Sequence, residues 1–188
     1  MWAIPFLLVT MVFPGTTPVI AEDAVQLTRG DSNDYQAKWL PDGRFILFTS
    51  NRGGSIGIWK VPAAGGQAVP IETGKRGDHH ISWSPDGRRI VFDAVGENGR
   101  PTLWLIPVEG GEPKMLFENA GPTFHPSWSP DGDRIAFVSF RSGTPDVWIS
   151  HLSNPKKLDR ITMDEASEEH PIWSPDGRGI LYATKRGG

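Results

Sequence analysis

Trp128-Ser129-Pro130-Asp131-Gly132 is followed within three residues by the apolar run Ile135-Ala136-Phe137-Val138. The same order recurs three times: Trp39-Leu40-Pro41-Asp42-Gly43 before Phe45-Ile46-Leu47-Phe48, Trp83-Ser84-Pro85-Asp86-Gly87 before Ile90-Val91-Phe92, and Trp173-Ser174-Pro175-Asp176-Gly177 before Ile180-Leu181-Tyr182. Pro suits the first central position of a type I turn, Asp the second, and Gly the left-handed place that follows. Each copy therefore predicts a tight turn that joins a strand ending on Trp to an antiparallel strand starting just after Gly.

The spacing between copies sets the architecture. Trp39, Trp83, Trp128 and Trp173 stand 44, 45 and 45 residues apart, and a second series, Trp59, Trp104 and Trp148, stands 45 and 44 apart. Only Trp2 lies outside the two series. The second series marks a third strand (Ile58-Trp59-Lys60-Val61, Leu103-Trp104-Leu105-Ile106, Val147-Trp148-Ile149). Ala64-Gly65-Gly66 and Glu109-Gly110-Gly111 then turn the chain into a fourth strand, with Ser153-Asn154-Pro155 expected in that place in the third copy. The fourth strands are expected at 68–71, 113–117 and 157–161. Four short strands per period of 44–45 residues is the size of one propeller blade. The fold class is all-β, a β-propeller of four-stranded blades with about three and a half blades present. A blade buries its faces only against its neighbours, and burying an indole is worth roughly 2–3 kcal/mol. The Trp series thus reads as inter-blade core rather than as a stack of ligand-binding rings.

Blades are expected at about 34–74, 78–118 and 123–162, with a partial blade at 168–188 and a lone outer strand at 24–28 that resembles the fourth strand of the third copy. Residues 1–21 carry no charged side chain, run apolar from 4 to 13, and end on Val19-Ile20-Ala21, small residues at the −3 and −1 places before Glu22. This reads as a secretory signal peptide. Its apolar run is about half of the ~20 residues needed to span a bilayer. No stable membrane span is therefore expected after cleavage, and residues 22–188 are expected in the periplasm or another extracytoplasmic compartment. The fourth copy stops before its second Trp, whereas closed propellers have ~4–8 blades. The expectation is the N-terminal part of a longer chain, or a half-propeller that self-associates through its unpaired blades.

Composition excludes several functions. With no Cys, the chain has no disulfide framework, zinc knuckle, iron–sulfur site or thiol nucleophile. A net charge of −3 offers no electrostatic case for nucleic acid. Gly 22 and Pro 17 leave little room for long helices.

The repeated Trp-Ser-Pro-Asp-Gly turn, in register over 25–188, resembles the TolB-type propeller repeat. Related repeats also build the propeller domains of prolyl-oligopeptidase-type serine peptidases. The resemblance implies the fold and leaves two functions open. The first is an exported, non-enzymatic module without a cofactor that binds a protein or peptide partner through its loop face. The second is the N-terminal propeller of a serine hydrolase whose catalytic domain lies outside this sequence.

Four further features bear on chemistry. Gly53-Gly54-Ser55-Ile56-Gly57 spells a nucleophile elbow, but it sits between two strands where the mechanism needs a strand and then a helix. His80, His125 and His170 each stand three residues before a first-series Trp, with Gln36 in the first copy. The favoured reading is a duplicated His that hydrogen-bonds a neighbouring blade's backbone, so no metal is expected. The other is a ring of imidazoles facing the channel, with these three as metal-ligand candidates and Asp78, Glu168 and Glu169 as supporting acids. Arg52, Arg141 and Arg186, thirteen residues after first-series Trp, are expected to fix loops. The acidic run 164–169 is expected as a solvated inter-blade loop.

Overall fold

In the computed structural model the described residues are 25–75, 77, 79–117 and 121–185. Residues 1–21, expected as a signal peptide, Asp78 and Arg186 lie outside them. The described residues form fourteen strands and no helix. The first blade is β1 (Asp34–Trp39), β2 (Phe45–Ser50), β3 (Gly57–Pro62) and β4 (Val69–Ile71). The second is β5 (Ile81–Trp83), β6 (Arg89–Val95), β7 (Pro101–Pro107) and β8 (Lys114–Met115). The third is β9 (Thr123–Trp128), β10 (Arg134–Ser139), β11 (Asp146–His151) and β12 (Asn154–Arg160), and β13 (Glu168–Trp173) and β14 (Ile180–Thr184) pair as a fourth, two-stranded sheet. Strands pair antiparallel in chain order within every sheet, and the array is open.

The repeated turn explains its own sequence. In the third blade the Ser129 hydroxyl donates to Asp131 Oδ1 at 2.6 Å and accepts from the Arg134 N–H at 2.9 Å, while Asp131 Oδ1 also accepts from the Asp133 N–H at 3.0 Å. The Gly132 N–H closes the turn on Ser129 O at 3.0 Å with φ 79, a left-handed conformation that favours Gly. Asp42, Asp86 and Asp176 likewise accept from the N–H two residues on. These hydrogen bonds hold all four carboxyls below their ordinary value: Asp131 goes to about 2, mainly through Ser129, Asp86 and Asp176 fall mainly through Ser84 and Ser174, and Asp42 mainly through the Arg44 N–H.

Blades meet through the first Trp series. Arg89 of the second blade lies over Trp128 at 4.9 Å, and Arg134 of the third lies over Trp173 at 4.3 Å. The Trp128 backbone N–H donates to Ser82 Oγ at 3.0 Å across the same joint. Apolar clusters straddle the joints, Leu47 and Ile58 with Ile90 and Phe92, then Val91 and Leu103 with Trp128 and Phe137. Each Trp thus packs on the blade before it. Trp128 and Trp173 are 6% and 9% exposed, whereas Trp39, with no blade before it among the described residues, is 41% exposed.

Three local expectations differ from the structure. Residues 25–28 are irregular rather than a strand, and Leu27 packs on Ile46, Phe48 and Val61 of the first blade. The third hairpin turns at Leu152-Ser153, so that Asn154 and Pro155 begin β12. Two bonds fix that turn, the Leu152 N–H to Asp133 O and the Ser153 N–H to Asp133 Oδ1. Pro155 is tolerated because β12 is the outer edge of its sheet. The fourth strands of the first two blades are short, three residues in β4 and two in β8.

Candidate functional site: three imidazoles at the loop-bearing end

Antiparallel order sorts every connection to one of two ends. The Pro-Asp-Gly turns and the third-to-fourth-strand hairpins share one end. The described parts of the inter-blade connections (72–75, 77 and 79–80; 116–117 and 121–122; 161–167) share the other with the loops 51–56, 96–100 and 140–145. His80, His125 and His170 enter or begin the innermost strands at this second end.

The pairing of the first two strands is irregular there in three sheets. The register shifts between Tyr35 and Lys38, between Ala136 and Val138, and between Glu169 and Ile172. Gln36, His125 and His170 occupy these bulges, each with φ 53. A non-Gly residue in this left-handed region costs of order 1 kcal/mol, and the surrounding ladder holds it there. The bulge turns the side chain out of the strand's alternation.

The result is a compact cluster from three blades. His125 and His170 stack with ring centroids 3.9 Å apart, His80 meets His125 edge-on at 4.0 Å, and His80 lies 5.9 Å from His170. One nitrogen of each ring lies within 4.8 Å of the others. Burial, followed by the neighbouring His80 and His170, pushes His125 down to about 4, so its ring is neutral at pH 7. The His80 side chain is 25% exposed and that of His170 57%, so the cluster opens to solvent on one side.

Asp93 anchors this cluster and escaped the sequence reading. Its side chain is 3% exposed; it accepts from the His80 N–H at 2.7 Å and from His80 Nδ1–H at 3.0 Å. That donation leaves His80 Nε2 as the free lone pair. The signal was present, since Asp93 interrupts an apolar strand at a place where the other copies have Thr49, Val138 and Ala183.

The acids named from sequence behave differently. Glu169 pairs with Lys185 at 2.8 Å and stands 4.0 Å from His170 Nδ1. Glu168 turns away: it is fully buried and accepts from the Thr162 and Thr184 hydroxyls at 3.1 and 3.2 Å. The run 164–169 is thus solvated only up to the point where β13 begins. His125 Nδ1 accepts from the His170 N–H of the next blade, at a long 3.4 Å. Ser55 is exposed in the loop 51–56, and strand β3, not a helix, follows it. Arg52 reaches Asp34 at 2.8 Å and Ser50 Oγ at 3.0 Å, and Arg141 Nε donates to Ser139 Oγ at 3.1 Å, so both brace loops.

Four-stranded blades joined through Trp–Arg contacts, with bulged inner strands converging on one mouth, define a β-propeller of the TolB type. The family model for the TolB beta propeller domain matches residues 81–188, and the chain belongs to this family. A structure described as TolB from Agrobacterium tumefaciens superposes with a TM-score of 0.78 at 25% identity, over 86% of this chain and 57% of that one. TolB from Acinetobacter baumannii gives 0.78 at 23% identity, over 89% and 41%. A prolyl endopeptidase structure gives 0.60 at 15% identity, over 83% and 26%. The chain thus spans about half the length of the TolB structures it matches. No curated protein matches it. Among the described residues no helix is long and apolar enough to cross a membrane.

Proposed function

We propose that this chain is an exported, non-enzymatic propeller module that binds a protein or peptide partner through its loop-bearing end. The observation that carries the reading is the unequal use of the two ends. The Ser and Asp side chains of the repeated turns bond within their own turns, whereas inter-blade loops and three imidazoles gather at the other end. Strands committed to blade packing leave the loops for recognition. Membership of the TolB family supports an extracytoplasmic location, in line with the signal-like residues 1–21.

The test is photo-crosslinking in the native compartment. A photoreactive residue at Phe140, 43% exposed in the loop 140–145, is expected to capture a protein partner, while one at the exposed Arg88 of the opposite turn is not. Equal capture from both, or from neither, overturns the assignment of the face. N-terminal sequencing of the native protein is expected to begin at Glu22, and an intact Met1 overturns export. The hydrolase reading is supported by the prolyl endopeptidase likeness at the level of fold. It predicts a native polypeptide that a fluorophosphonate serine probe labels.

A further inference from the structure

We infer that His80, His125 and His170 form a binding site for a single divalent transition-metal ion, zinc being the reference occupant, with one coordination position left open toward the mouth of the propeller. The inference does not need the partner reading, since it rests on the geometry of the imidazoles and of the groups that hold them, and its titration stands or falls without a partner.

Three observations carry it. First, the three rings converge from separate blades, with one nitrogen of each inside a 4.8 Å span. Tetrahedral zinc binds imidazole at ~2.0–2.1 Å, which sets its ligand nitrogens roughly 3.3 Å apart, so closing the site draws the nitrogens together and tilts the His125 and His170 rings out of their stack. Second, the donors are ready. Asp93 takes the Nδ1 proton of His80 in a hydrogen bond and leaves Nε2 free, the carboxylate–imidazole arrangement that orients metal-binding histidines elsewhere. His125 Nδ1 accepts only the long 3.4 Å bond, which a cation would replace. Third, the backbone supplies the aim: φ 53 at His125 and His170 directs both rings out of strand alternation and into the stack. Three nitrogen donors favour zinc, cobalt, nickel or copper over magnesium or calcium, which prefer oxygen. Glu169 stands 4.0 Å from His170 Nδ1 and is held by Lys185, so it acts on the site at a distance. Three protein ligands and an open side leave a place for water or for a carboxylate or imidazole of a bound peptide.

The experiment is calorimetric titration of the full chain with zinc chloride and, in parallel, visible spectroscopy with cobalt chloride. One cobalt ion per chain is expected, with the intense d–d absorption of a tetrahedral site, and millimolar magnesium or calcium is not expected to displace it. His125→Gln and His170→Gln serve as fold-neutral variants, because Gln36 already takes the same φ in the first blade. Both are expected to abolish the cobalt spectrum. Asp93→Asn keeps the ligands and is expected to weaken zinc by about 10–100-fold. Absence of binding by the folded parent chain overturns the site. So does binding that survives in the glutamine variants; should His125→Gln fail to fold, the solvent-exposed His170→Gln decides alone.

Discussion

The two ends of these blades carry the same number of repeats and put them to opposite use. At the turn end Ser129 and Asp131 bond to each other and to the backbone of their own turn, and Ser84 with Asp86 and Ser174 with Asp176 repeat the pattern. At the mouth the repeated residue is His, and its three copies face one another rather than a local backbone group. A repeated side chain that finds its partner within five residues is a folding device. One whose copies meet only across blades is available for a ligand.

The largest expected effect tests whether blade joints, rather than turns, set the stability scale. Trp128→Ala removes an indole that is 6% exposed, packed under Arg89 and bonded to Gly132 O, and is expected to cost about 3–5 kcal/mol in urea unfolding. Trp39→Ala, at the uncovered joint, is expected to cost less than half of that. Equal costs would mean that Trp39 is covered in solution, as self-association through the open edge requires.

Zinc sharpens the contrast at the mouth. At a free concentration 100 times the dissociation constant it is expected to stabilise the parent chain by about 2.7 kcal/mol, read as a rise in thermal midpoint, and to leave His125→Gln unmoved. Without metal the order reverses. Ser129→Ala is expected to cost about 1–3 kcal/mol, since it strands buried turn groups, whereas His125→Gln stays within ~0.5 kcal/mol. A His125→Gln cost as large as that of Ser129→Ala would erase the distinction between the ends.

The smallest effect is in pH. The turn carboxyls are lowered in the folded state, so their contribution is complete above about pH 4 and is lost as pH falls toward 2. The stability gap between the parent chain and Asp131→Asn is expected to narrow over that window in acid titrations at constant salt. A gap that stays constant with pH would mean that the Asp131 charge does not matter to the turn.

Much of the fold was legible because its signals are local. The Trp spacing, the Pro-Asp-Gly turns and the apolar second strands all lie where they were expected. The misjudged elements share one property, dependence on distant groups. Residues 25–28 form no strand and instead lend Leu27 to the first blade's core. The third hairpin turns at the same place after its Trp as the other two, and what differs is the immediate start of β12 at Asn154, next to the Ser153 N–H that donates to Asp133 Oδ1, twenty residues back. Glu168 looked like part of an acidic loop and is instead buried against Thr162 and Thr184. For the candidate site, the register of His80, His125 and His170 and a ring facing the channel were readable as one of two alternatives, but the direct ring contacts and the support from Asp93 were not.

From the order of residues alone follow the blade, its four strands and the turn chemistry, because steric and hydrogen-bonding preferences act over a few neighbouring residues. Tertiary structure decided which copies of each repeated residue differ: Trp39 exposed and Trp128 buried, Asp93 tied to an imidazole where its counterparts are apolar or hydroxylic. It also brought together histidines 45 residues apart in the chain. The angle at which one blade packs on the next sets those distances, and that angle comes from side-chain packing across the joint, which no single window of sequence contains.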